Sequence, residues 1–366
     1  MAASSTRVRY PLRTVDWLKV VAAQCIIWHH LALYGPLSDA LAHAAADISG
    51  WLYDQSRMAV QVFLVVAGYL AARNFSGARW SIRQCVQVVL ARYQRLVIPF
   101  VAALLLTMLA AALARPHLVG DMVPAAPSVG QFLAHVGLLH SVLDVPSLSA
   151  GVWYVAIDFQ LFALLVVLLG VSRGRLGYAA VGAAMLCVAS LMGFNRDAAW
   201  DSWALYFFGA YGLGVLAGWA GLPGSHQRSC QVVYAVAVAC TVAALVVACR
   251  ERIALALGVS VLLLVWGGRQ YRLPTSVDRW IARLSQTSYA LFLVHFAVLM
   301  LVNATWTFCG AQTVWPFMTM YGVVAMIGSF ALYDYVEQPF AKWISQRQQR
   351  VSPNCLHAKD AQALPG

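Results

Sequence analysis

QRLVIPFVAALLLTMLAAALA, residues 94–114, contains one charge, Arg95, at its edge and then nineteen uncharged residues up to Arg115. As a helix those nineteen residues extend about 28 Å, close to the thickness of a bilayer's hydrocarbon core. Nine further runs read the same way, near 15–35, 56–72, 151–171, 176–194, 202–220, 230–249, 253–268, 285–305 and 314–336. The apolar stretch 129–143 is shorter and reads as an interfacial or re-entrant helix. Of the 366 residues, 61% are hydrophobic and 11% charged, against roughly 25% charged in a soluble domain. The expected fold is an all-α polytopic membrane protein of about ten transmembrane helices.

The charges test that count. With ten spans both termini share one side, and 19 of the 25 Lys and Arg residues then fall on that side. The opposite side holds only Arg57, Arg115, Arg196, Arg250 and Arg252, while Lys19 sits just inside the first span. Cytoplasmic loops collect Lys and Arg, so both termini are expected in the cytoplasm. The same rule accounts for the basic balance without nucleic acid as a partner; the partner it implies is membrane lipid. The expected division is a cytoplasmic N-terminal segment at 1–14, a transmembrane domain at 15–345 and a disordered cytoplasmic tail at 346–366. The long loop 115–150 holds Pro116, Pro124, Pro127 and Pro146 and reads as mostly irregular. The basic N-terminus lacks a small-residue cleavage site, so the first run is read as a retained helix. The eight cysteines lie mostly within apolar runs at no metal-ligand spacing and read as small buried hydrophobes, with no metal expected.

Ionisable side chains inside a membrane are costly, which makes each one a candidate for function. The first span carries Asp16, Lys19, His29 and His30. At 100° per residue, His30 lies about 20° from Lys19 and about 40° from Asp16, so these three share a stripe. His29 points about a quarter-turn away. His30 should lie about 16 Å deeper than Lys19, where a neutral imidazole can take a proton from a hydroxyl. Arg92 and Arg95 are i,i+3 neighbours able to fork around a phosphate-rich ligand, although positive-inside anchoring explains them equally well. Trp153, Tyr154 and Asp158 open one span, with the carboxylate about 7–8 Å inside it. Ser288, Tyr289 and His295 lie along another. Glu337 precedes Pro339, which should end its helix.

These motifs, taken in order, resemble the bacterial membrane acyltransferase-3 family, which includes acetylases of O-antigen, Nod factors and exopolysaccharides. The resemblance is carried by Asp16-x-Leu18-Lys19-x-x-Ala22 with His30, and by Phe63-Leu64-x-x-x-Gly68-Tyr69-Leu70. Next come Arg92-x-x-Arg95 with Pro99, then Trp153-Tyr154 with Asp158, Ser288-Tyr289 with His295, and Glu337-x-Pro339-Phe340. Each motif is loose, but the ordered set covers 13–343. The family usually has Arg where this chain has Lys19, and often Glu where it has Asp158. Lys cannot make the bidentate contact of an Arg. The resemblance implies a bacterial inner-membrane enzyme with no bound cofactor. Its donor would be acyl-CoA, usually acetyl-CoA, arriving from the cytoplasm with its phosphates on Arg92 and Arg95. Its acceptor would be a hydroxyl of a glycan or lipid-linked saccharide. His30 would be general base or transient acyl carrier.

Intramembrane His, Asp and Lys also suit a proton-coupled transporter or flippase of a glycan or small acid. Such carriers often show inverted repeats and paired helix breaks, and no such repeat is visible in the sequence.

Overall fold

The structure, a computed structural model, describes residues 12–75, 80–118, 122–269 and 273–351, with side chains described up to 347. The expected disordered tail lies largely outside the described residues, as do Arg7, Arg9, Arg79, Arg272 and Lys359 and the segment before Leu12. Among the described residues there are fifteen α-helices and no strand. In chain order they are α1 Arg13–Leu33, α2 Pro36–Ala44, α3 Ala46–Asp54, α4 Ala59–Asn74, α5 Ile82–Ala114, α6 Val129–Val136, α7 Trp153–Val171 and α8 Leu176–Met192. They continue with α9 Ala204–Ala220, α10 Gln227–Val247, α11 Glu251–Trp266, α12 Thr275–Gln286, α13 Ser288–Cys309, α14 Trp315–Leu332 and α15 Gln338–Val351.

Each of the ten expected runs falls on a helix, but the count of spans is smaller. By length and apolarity, seven helical stretches among the described residues can cross a membrane, or eight if a bent pair counts as one crossing. The bent pair is α1 with α2, which turn by 97°. Gly35 at φ +83° makes that turn, Pro36 starts α2, and Asn303 Oδ1 accepts a 2.9 Å bond from the Leu37 N–H. The expected runs at 202–220 and 253–268 became α9 and α11, only 17 and 16 residues long. The span near 314–336 continues through a π-helical turn, Tyr333–Glu337, into α15 rather than ending before Pro339. The loop 115–150 contains only the short α6 and is otherwise irregular.

The seventeen residues of α9 alternate aromatic side chains with Gly209, Gly212, Gly214 and Gly218, and nearly all are buried. Small residues let backbones approach where apolar attraction alone cannot distinguish protein from lipid. A Cβ on Gly214 would run into the Val65 carbonyl, and one on Gly68 into the Tyr211 carbonyl, so α4 and α9 touch backbone to backbone. Around this pair pack α7, α8, α10 and α11. A second core joins α1 to α13 and α14. The outward faces carry exposed apolar residues at helical spacing, such as Leu105, Leu109 and Leu113 on α5 and Val232 and Val236 on α10. These are surfaces for lipid, and the chain is a multi-pass membrane protein.

Candidate functional site

α1 packs beside the α12–α13 segment, and its polar stripe faces that segment. At one end Asp16 Oδ1 accepts from the Ser285 hydroxyl at 2.6 Å, and Lys19 Nζ donates to the Ser285 carbonyl at 2.6 Å. Ser288 Oγ donates to the same carbonyl at 2.9 Å. Ten residues beyond Ser285, on α13, His295 meets His30. From Lys19 to His30 is eleven residues, so α1 and α13 run in the same direction and in step. The shared face of Asp16, Lys19 and His30 is therefore real, but the groups do not converge. Asp16 and Lys19 tie the α12–α13 junction, and His30 lies about 16 Å along the helix from Lys19.

His30 is set by a chain of hydrogen bonds. His30 Nδ1 lies 2.6 Å from His295 Nε2, and the two rings are nearly parallel, 9° apart. His295 Nδ1 lies 2.6 Å from the Phe292 carbonyl oxygen. A carbonyl can only accept, so the His295 proton sits on Nδ1 and its Nε2 accepts. His30 must then donate from Nδ1, which leaves its Nε2 as an unprotonated lone pair. His295 itself is wholly buried. His29 is fixed separately, through Nδ1 on the Leu52 carbonyl at 3.0 Å.

Two cavities meet here. The histidine cavity, of about 1390 Å³, is lined by His29, His30, Tyr34, Trp153, Tyr154 and Phe292 among others. The Arg92 cavity, of about 700 Å³, is lined by Lys19, Arg92, Arg95, Asp158, Ser288, Tyr289, Glu337 and Lys342 among others. Tyr154 and Phe292 line both, with ring centroids 5.6 Å apart, and form the partition between them. Gly151, at φ +78°, holds the loop against this point. A side chain there would press on the Phe292 ring and lie against His30 Cε1. Trp153 lies against Phe207 on the histidine side.

In the Arg92 cavity, Arg92 Nη2 bonds Asp158 Oδ2 at 2.5 Å, and the carboxylate side chain is only 7% exposed. Arg92 is thus first the counter-ion of a buried acid. Arg95 is more open, with one 3.4 Å contact to Ser345 Oγ. Tyr289 donates to the Leu96 carbonyl at 3.0 Å, and Glu337 Oε2 has no hydrogen-bond partner. Among the described residues no cluster of His, Cys, Asp or Glu could hold a metal ion.

The wall of the histidine cavity from Pro146 to Gly151 is pinned by His135, whose Nε2 accepts from the Leu148 N–H at 3.1 Å. His140 lies parallel to His135, ring centroids 4.3 Å apart, and neither of its nitrogens has a hydrogen-bond partner. Burial, and next the neighbouring imidazole, lower the His140 pKa to about 4.

Sequence reasoning gave no role to Tyr34, Phe292 or Gly151, nor to the basic residues of the histidine cavity. For the last there was a signal. Arg57, Arg250 and Arg252, three of the five exceptions to the charge asymmetry, all line this cavity.

A family model described as an acyltransferase domain matches residues 12–334, spanning α1 to the π-helical turn. The chain belongs to the acyltransferase-3 family. Its match encloses every residue of the two histidine–carbonyl links and both sides of the partition. No curated protein and no solved structure matches this acyltransferase-3 chain. Family membership favours acyl transfer over the carrier reading.

Proposed function

We propose that the protein is an O-acyltransferase that takes an acyl group, acetyl first among them, from acyl-CoA and places it on a hydroxyl of a glycan or lipid-linked saccharide. The observation that carries this reading is the His30–His295–Phe292 chain, which leaves His30 Nε2 as an open base on a large cavity. The Arg92 cavity is the donor side. Lys19, Arg95 and Lys342 line it and suit the phosphates of CoA. The excess of Lys and Arg on that side favours a cytoplasmic opening in a bacterial inner membrane.

In the reaction the acceptor O–H proton passes to His30 Nε2 and the oxygen attacks the thioester carbonyl carbon. The C–S bond breaks, and CoA leaves as a thiolate that takes up a proton. If the acyl group first rests on His30 Nε2, the same lone pair forms the acyl-imidazole, and the hydroxyl attacks in a second step. Both routes need the thioester or its acyl group to pass Tyr154 and Phe292.

Membranes containing the protein, radiolabelled acetyl-CoA and a lipid-linked glycan fraction test the proposal. Label should enter glycan with wild type and not with His30→Ala, while the variant inserts normally. Transfer by His30→Ala at the wild-type rate overturns the mechanism.

A further inference from the structure

Among the described residues, arginines differ in what holds them. Arg13, Arg92 and Arg283 are joined to carboxylates, those of Asp278, Asp158 and Asp334. The three arginines of the histidine cavity are held by neutral oxygens instead. Arg250 donates from Nη1 to Asn195 Oδ1 and from Nη2 to the Leu191 carbonyl, both at 2.8 Å. Arg252 Nη2 donates to the Tyr206 hydroxyl at 2.9 Å and lies 3.3 Å from the Asn195 carbonyl. Arg57 Nε donates to the Asp54 carbonyl at 3.2 Å. Asn195 is itself buried and bonded through Nδ2 to the Tyr206 carbonyl, so the pair rests on a fixed support. Arg250 Nε is buried and has no partner.

This arrangement fixes the Arg250 and Arg252 guanidiniums without neutralising them. Asp54, Asp201 and Glu251 also line the cavity, but they are exposed, whereas Arg250 and Arg252 are half-buried. Among the described residues no ion pair joins these acids to the three arginines. Simple anchoring does not explain cations here, since this is the side the charge asymmetry leaves poor in Lys and Arg. Partly buried, immobilised and unpaired guanidiniums are a receptor for an oxyanion.

We infer that the histidine cavity contains an oxyanion-binding site, built by Arg250 and Arg252 on Asn195 and completed by Arg57, that recognises an anionic group on the acyl acceptor. The inference rests on the reading of this cavity as the acceptor side. The oxyanion has two chemical sources in a glycan acceptor: a diphosphate joining sugar to lipid, or the carboxylate of an acidic sugar. Either would hold the acceptor at one wall and leave a sugar hydroxyl free to reach His30.

The test is equilibrium binding to the full chain purified in a neutral detergent, with decyl diphosphate, decyl glucuronide and neutral decyl glucoside as probes. Binding is read without turnover, so the result stands apart from whether acyl transfer is the reaction. At least one anionic probe should bind about tenfold or more tighter than the glucoside at low salt, with the preference weakened by added salt. Preference for the diphosphate identifies a lipid-carrier linkage, and preference for the glucuronide an acidic sugar. Arg252→Gln should bring the favoured anion to the affinity of the glucoside. If that variant loses its melting transition, Arg57→Gln, on an exposed residue, decides by the same comparison. Equal affinities for all three probes, no binding of any probe, or an anion preference that survives both substitutions overturns the site.

Discussion

Replacing His295 with Phe removes the acceptor for His30 Nδ1 while keeping a ring in a wholly buried position. The cavity cost of a truncation is thereby avoided, so the effect reports on the hydrogen bond. A buried hydrogen bond of this kind is worth about 1–3 kcal/mol, and each 1.4 kcal/mol is about a factor of ten. Against a Phe ring the buried His30 Nδ1–H is left without an acceptor, which costs about 1–3 kcal/mol, so the proton moves to Nε2 and the share of His30 with an open Nε2 lone pair falls by roughly 5–150-fold. In His295→Phe, kcat for acetyl transfer should fall by about that factor with KM for donor and acceptor unchanged. His295→Gln keeps an oxygen able to accept from Nδ1 and should recover part of the loss. Initial rates with radiolabelled acetyl-CoA, on protein matched for folded amount, measure all three forms. Turnover within about twofold of wild type in His295→Phe would show that the tautomer of His30 needs no partner, and the reasoning would fail.

Arg92→Ala strands the buried Asp158 carboxylate and should cost about 3–5 kcal/mol, seen as a lower melting temperature in detergent; an unchanged melting point argues that the pair carries no structural role. Arg95→Ala should leave melting alone and raise KM for acetyl-CoA by about tenfold, and an unchanged KM returns Arg95 to surface anchoring. Gly214→Ala places a methyl group on the Val65 carbonyl and should destabilise by about 1–3 kcal/mol, measured by thermal unfolding against wild type. The unfolded chain takes up a proton at His140 near its ordinary pKa of 6.5, and the folded chain only near about 4. Between those values the unfolded state binds more protons, so stability falls as pH is lowered, by up to about 3 kcal/mol at the acid end. Melting curves from pH 7.5 to pH 4.5 should show this loss, and His140→Gln should flatten it.

The helices were legible because bilayer physics writes itself as long apolar runs. Their number as membrane crossings was not. α9 and α11 are short, and the first run breaks at Gly35 and Pro36 into a bend whose angle is fixed by Asn303, 266 residues from its partner Leu37. The stripe of Asp16, Lys19 and His30 was readable from helical phase alone. Its division into an end that ties Ser285 and an end that meets His295 was not, because that depends on what α12 and α13 place opposite each residue. His30 and His295 are 265 positions apart, and no local pattern pairs them. Arg92 and Asp158 likewise stood as separate motifs until α5 packed on α7. The arginines of the histidine cavity were visible from the start as exceptions to a charge rule, without a surface to assign them to.

Two cavities ending at one aromatic partition also reshape the electric field of the membrane. With one cavity opening to each face, as the proposed donor and acceptor sides require, the low-dielectric barrier is thinned to the Tyr154 and Phe292 rings. The transmembrane voltage then drops mainly across that layer instead of over the whole bilayer. A full crossing is worth about 2.3 kcal/mol per elementary charge at 100 mV. In the proposed reaction a proton arriving at His30 through the histidine cavity would have crossed little of that drop, whereas a thiolate forming beyond the rings would lie on its other side. Proton uptake and CoA release in that reaction would therefore be charge movements in separate electrical compartments, and the energised state of the membrane would enter its energetics.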